Sequence, residues 1–160
     1  MTMQVGTKTY ISGFLVALLL LPGCFSSSSK EESGLKVINV LDKKFYDDAH
    51  IPGSIQIPVM EVVDRVKNWS KSTEIVVYCS NYKCTASGMI AKKLKKAGFE
   101  KVFAYEAGMA GWKQAGLPVD GLAKEKYLDA ENEKFSDRKD ADVEDISTVD
   151  LKVLLDRDKK

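Results

Sequence analysis

Short β-branched runs alternate with amphipathic stretches between Leu35 and Gly121. That alternation predicts an α/β domain with a mostly parallel central sheet and helices on both faces, three layers in all. Two further observations agree: the best strand candidates are apolar almost throughout, as strands covered on both faces are, and one helix carries its own stop signals. The chain has 160 residues, 44% of them hydrophobic, which fits one ordinary domain. With 24 basic against 23 acidic residues and a net charge of +1 it offers no basic face, so no nucleic-acid partner is expected. Three cysteines and one histidine are too few for a structural zinc site beside a reactive cysteine, and neither metal nor cofactor is expected.

Residues 1–23 read as a processing signal. Lys8 precedes the apolar run Phe14-Leu15-Val16-Ala17-Leu18-Leu19-Leu20-Leu21, which ends at Pro22-Gly23-Cys24. The run is shorter than the roughly 20 residues a membrane span needs, and its layout is that of a secretory signal peptide. Leu21-Pro22-Gly23-Cys24 resembles the lipobox of bacterial lipoproteins, which implies a diacylated Cys24 as the mature first residue. The other reading is an ordinary cleaved signal with a chance cysteine. Residues 24–34, with Ser26-Ser27-Ser28-Ser29, form a flexible polar tether. The expectation is therefore an exported protein, anchored by lipid to the periplasmic face of the cell envelope. Phe25 stands where inner-membrane retention would call for aspartate, so the outer membrane is favoured if the source has one.

The folded part is expected over residues 35–121. Val37-Ile38-Asn39-Val40-Leu41 and Glu74-Ile75-Val76-Val77-Tyr78 are the clear strands; Ser54-Ile55-Gln56-Ile57 and Val102-Phe103-Ala104-Tyr105 are weaker ones. Val62, Val63, Val66 and Trp69 recur at helical spacing, as do Ala86, Met89, Ile90, Leu94 and Ala97. The second helix has Lys92, Lys93, Lys95 and Lys96 in its later turns and Gly98 just beyond, the arrangement that its dipole and a glycine stop favour. Residues 122–160 are rich in Asp, Glu and Lys and are expected to be a mostly disordered tail, although Ile146, Val149, Leu151, Val153, Leu154 and Leu155 could form one amphipathic helix.

Cys79 ends a buried strand, and a short polar loop, Ser80-Asn81-Tyr82-Lys83-Cys84, leads to a helix start near Thr85. A loop wrapped ahead of a helix N-terminus turns backbone N–H groups toward an anion, which favours the thiolate and makes Cys79 a competent nucleophile. Lys83 either turns toward that cradle or faces solvent. With Cys24 assigned to lipid, Cys79 and Cys84 are the two remaining thiols, placed by export where thiols can be oxidised.

Three separated segments give a resemblance. His50-Ile51-Pro52-Gly53-Ser54-Ile55 is similar to the HIPGA segment of the rhodanese-homology family, with Tyr46 at the usual aromatic position. Tyr78-Cys79 matches the opening of that family's active-site loop. Gly108-Met109-Ala110-Gly111-Trp112-Lys113-Gln114-Ala115-Gly116-Leu117-Pro118-Val119 is similar to its closing stretch. The resemblance implies a rhodanese-like sulfurtransferase in which Cys79 takes sulfane sulfur from a small donor, thiosulfate or a persulfide, holds it as a cysteine persulfide, and passes it to a thiol acceptor or redox partner. Ser80, Asn81, Tyr82, Lys83, Cys84 and Thr85 are then the active-site loop. Many active members carry glycine third and arginine fifth after the cysteine; Tyr82 and Cys84 stand there. The family's strand-end acid and arginine read Asn39 and Leu41. Loss of the loop arginine removes a fork-shaped anion donor and argues against efficient thiosulfate use.

Cys84 opens other readings. It could resolve a Cys79 persulfide or sulfenic acid into an intramolecular disulfide, which makes a thiol–disulfide redox protein the alternative function. It could equally be a small buried hydrophobe. A catalytically silent binding module is the third alternative. His50 is expected to fix a turn by hydrogen bonding, and Trp69 and Trp112 to anchor the core.

Overall fold

A computed structural model describes residues 2–3, 34–134 and 143–159 of the chain. The signal-peptide and lipid-anchor readings, Cys24 included, and nearly all of the tether lie outside the described residues. The elements run β1 (Leu35–Asn39), α1 (Lys43–Asp48), β2 (Ile55–Gln56), α2 (Val62–Val66), β3 (Glu74–Tyr78), α3 (Ala86–Lys96), β4 (Lys101–Tyr105) and α4 (Gly108–Gln114). A 3₁₀ turn (Lys126–Leu128), β5 (Glu144–Asp145) and α5 (Thr148–Asp158) follow.

All strand pairs are parallel, and the sheet order is β2-β1-β3-β4-β5. Parallel neighbours need crossover connections, and here the crossovers place helices on both faces of the sheet. Along β3 the side chains alternate between two cores. Ile75 and Val77, followed by Cys79, join Val62 and Val66 of α2 and Ile90, Ala91 and Leu94 of α3. Val76 and Tyr78 join Ala49, Ile51, Met109 and Trp112 of α4, and Leu151 of α5. The three-layer α/β/α architecture expected from the sequence is the one observed.

The chain leaves β1 toward β2 on one side and returns to β3 on the other. The reversal lies between the carboxyl ends of β1 and β3. In open parallel sheets this switch point leaves a crevice, because the two connections diverge there. The β1 end is Asn39-Val40-Leu41 and the β3 end is Tyr78-Cys79-Ser80, so the topology alone brings Cys79 to the crevice.

Beyond Gly121 the structure departs from the expectation of a mostly disordered tail. Residues 122–134 form a strap, and residues 143–159 add β5 beside β4 and dock α5. The reason is that a few apolar residues among the charges are spaced to reach the sheet. Leu128 and Leu151 are fully buried and Ile146 nearly so; each buried leucine contributes about 1.5–3 kcal/mol. Asp48 holds the strap's start, its carboxylate accepting the N–H groups of Lys124 and Glu125 at 3.0 Å. Asp158 accepts the N–H of Leu35 at 3.1 Å, and Arg157 pairs with Glu74, so α5 is fastened to β1 and β3. Among the described residues no helix is long and apolar enough to cross a membrane.

Candidate active site

Cys79 is fully buried at the carboxyl end of β3. Its neighbour Tyr78 is held from behind: the Tyr78 hydroxyl accepts the N–H of Ile51 at 3.0 Å and pairs with Ser54 Oγ at 2.9 Å. Burial pushes the Tyr78 phenol up to about 12, against the pull of those two hydrogen bonds. His50 completes the same turn. Its Nδ1 lies 2.8 Å from the Tyr46 carbonyl, its ring stacks on Tyr46 at 3.9 Å, and its backbone bridges to Asp120. The histidine therefore has the turn-fixing surroundings expected of it.

The front of the site is clamped by α4. The N–H groups of Met109 and Ala110 donate to the carbonyls of Cys79 and Ser80, both at 2.9 Å. Gly108 makes that approach feasible. Its φ is +61°, and a Cβ there would lie 2.6 Å from the Cys79 carbonyl oxygen and 2.7 Å from the Asn81 nitrogen.

The loop itself is an Asx turn. Asn81 is buried; its Oδ1 accepts from the Lys83 N–H at 3.0 Å and its carbonyl from the Cys84 N–H at 3.0 Å. The Tyr82 N–H goes to Asn132 Oδ1 at 3.0 Å, while Asn132 Nδ2 donates to the Ala107 carbonyl at 2.9 Å. Three loop N–H groups thus face protein oxygens. The anion-directed set drawn from the sequence narrows accordingly to the first turn of α3, whose N–H groups have no intrahelical partners. Thr85 occupies the N-cap without a side-chain cap bond, leaving that turn open. Lys83 is exposed, which resolves its two readings in favour of solvent.

Ser87, in the first turn of α3 and fully buried, places Oγ 3.9 Å from Cys79 Sγ. Cys79 and Cys84 are joined by a disulfide, their Cα atoms 6.4 Å apart. Cys84 is half-buried and packs against the cluster that contains Cys79. Both readings of Cys84 meet here: it is packed and it is bonded.

A cavity of about 550 Å³ opens beside the loop, within the range of small-molecule sites. Leu41 and Ser80 line it from the ends of β1 and β3, Phe45 from α1, and Lys124, Glu125 and Tyr127 from the strap. Phe45 and Tyr127 meet edge to face at 5.8 Å, and Glu125 is paired with Lys44 at 3.3 Å. Burial raises the Tyr127 phenol well above its ordinary value. Leu41 also packs against the cluster of the two cysteines. On the loop side the pocket wall is thus Leu41 and Ser80, one aliphatic and one hydroxyl side chain. Among the described residues no group of His, Cys, Asp and Glu could hold a metal ion.

The sequence reading missed Ser87, Asn132 and the pocket. Asn132 and Tyr127 stand in the stretch taken for disordered tail. Ser87 carries no local signal beyond its place in the helix.

The model of the rhodanese-like domain matches residues 27–115 of the chain. The chain belongs to the rhodanese-like domain family. Among curated proteins, this rhodanese-like chain is 34% identical over 91 residues to the HTH-type transcriptional regulator Rv0324 of Mycobacterium tuberculosis, covering 57% of this chain and 40% of that protein. It is 33% identical over 88 residues to the provisionally named sulfur carrier protein YrkF of Bacillus subtilis, covering 55% and 46%. The rhodanese-like chain thus spans less than half the length of these curated relatives. Among solved structures, the BH2092 protein of Bacillus halodurans aligns with a TM-score of 0.51 at 31% identity, over 56% of this chain and 66% of that one.

Proposed function

We propose that this rhodanese-like protein is a sulfurtransferase that carries sulfane sulfur as a persulfide on Cys79 at a membrane surface. The observation that carries the reading is the position of Cys79: at the end of β3, at the switch point of the sheet, facing the open first turn of α3, one residue from the pocket. The similarity to YrkF, provisionally named a sulfur carrier protein, supports it.

In the reduced state the Cys79 thiolate attacks the outer sulfur of the donor. A Cys79–sulfur bond forms as the donor's sulfur–sulfur bond breaks, and the donor leaves as sulfite from thiosulfate or as a thiolate from an organic persulfide. The first turn of α3 stabilises the anionic sulfur before and after transfer. Leu41 and Cys84 occupy places where arginines would hold an inorganic dianion, and the pocket offers Phe45 and Tyr127 together with the Lys124 and Lys126 ammonium groups of the strap. The favoured donor is therefore a small organic persulfide with an apolar body and an anionic group for those lysines. A thiol compound or thiol protein accepts the sulfur.

Membrane placement rests on Cys24, diacylated after export, with residues 24–34 as the tether on the periplasmic side. Cys24→Ala should move the protein from the membrane fraction to the soluble one; an unchanged distribution would remove the lipid anchor. For the chemistry, peptide mapping of the reduced Cys84→Ser variant after exposure to an organic persulfide should locate one added sulfur on Cys79. Cys79→Ser should abolish transfer, and retained transfer would overturn the assignment.

A further inference from the structure

The Cys79–Cys84 bond has a meaning for sulfur transfer itself. We propose that Cys84 discharges the Cys79 persulfide as hydrosulfide, so that the protein turns sulfane sulfur into hydrosulfide and ends the turnover as a disulfide. The inference rests on the reading of Cys79 as the persulfide carrier.

The argument is geometric. In a Cys79 persulfide the inner sulfur is Cys79 Sγ, and the structure joins Cys84 to that same atom. A Cα separation of 6.4 Å lies within the span that disulfides bridge without backbone movement. This is the bond that attack by Cys84 on the inner sulfur, rather than the outer one, would produce. Attack on the outer sulfur would only relocate the persulfide. Attack on the inner one forms the Cys79–Cys84 bond and breaks the bond to the outer sulfur, which leaves as HS⁻. The Cys84 thiol proton departs with it, so the anionic persulfide and neutral thiol become a neutral disulfide and one hydrosulfide anion. No external oxidant is needed, because the sulfane sulfur is itself reduced as the two thiols are oxidised.

Proximity favours this route over transfer to a dissolved thiol. Cys84 is fixed in the same loop by its N–H bond to the Asn81 carbonyl at 3.0 Å, and it packs on the same cluster. Such tethering converts an encounter into a step within one molecule. The next turnover then requires a dithiol reductant, small molecule or protein, to reopen the disulfide. On this route that reductant takes the place of the sulfur acceptor as the second substrate.

The test uses the full chain with Cys24→Ala in every arm, reduced and freed of reductant. One equivalent of cysteine persulfide is added, hydrosulfide is trapped with a bimane reagent, and intact mass and peptide maps are read. The parent should release close to one hydrosulfide per chain and finish with the Cys79–Cys84 link. Cys84→Ser and Cys84→Ala should hold the extra sulfur on Cys79 and release at least about tenfold less hydrosulfide. If the parent keeps the persulfide as stably as both variants do, the discharge step is overturned while the carrier role stands. If neither Cys84 variant gains sulfur on Cys79, the carrier role fails and the discharge step with it.

Discussion

Gly108 decides how closely α4 can clamp the nucleophile, because its +61° φ and missing side chain let two N–H groups reach the carbonyls of Cys79 and Ser80. Gly108→Ala should cost about 1–3 kcal/mol from the left-handed backbone alone and more from the overlap, lowering the thermal midpoint and slowing sulfur loading together. Normal loading with a lowered midpoint would separate the clamp from the chemistry. Leu41 sets the donor at the same scale. Leu41→Arg should restore an anion donor to the pocket wall, raising transfer from thiosulfate and lowering it from an organic persulfide with an aromatic body. Equal effects on the two donors would count against the apolar pocket. Cys79 and its loop were legible because a nucleophile at the end of an apolar strand, before a helix, is a local pattern. Asn132 was not: it meets Tyr82 across 50 positions of sequence, and nothing near it in the chain announces the partner.

The elements after Gly121 complete the domain rather than trail from it. Leu128 and Leu151 are the buried points at which the strap and α5 are fixed to the α4 side of the sheet. Leu128→Ala or Leu151→Ala should each cost about 2–5 kcal/mol, the range for emptying a buried leucine site, and shift the urea midpoint downward. A change below about 0.5 kcal/mol, as for ordinary surface positions, would return this region to the role of a tail. Because the strap supplies Tyr127 to the pocket and Asn132 to the loop, Leu128→Ala should also slow sulfur loading. The sequence displayed strands β1 to β4 and the amphipathic spacing of α5. It concealed β5, since Glu144-Asp145 is a charged pair with no strand periodicity. Its place in the sheet comes from its neighbours, with Ile146 donating to the Ala104 carbonyl at 2.9 Å. Net charge described this region poorly because three well-spaced apolar residues outweighed many solvated ones.

Over the whole molecule, buried phenols tie stability to high pH. Tyr78 titrates near 12 when folded and near 10 when unfolded. The folded state keeps a proton that the unfolded state releases, so the contribution is full below pH 10 and is lost as pH rises toward 12. The loss amounts to about 3 kcal/mol for Tyr78, and Tyr105 and Tyr127, also raised by burial, add to it in the same direction. Urea midpoints should hold level up to about pH 9.5 and then fall steeply; Tyr78→Phe, less stable at neutral pH, should show a shallower fall. A midpoint independent of alkaline pH would contradict the burial of these rings. The sheet has one further property at this scale. Its outermost strands, β2 and β5, are each two residues long, and β5 consists of Glu144 and Asp145. Such margins give an adjacent copy almost no free backbone ladder to zip onto, and one of them repels its own image. Copies crowded side by side should stay separate particles, with little tendency to seed fibrils.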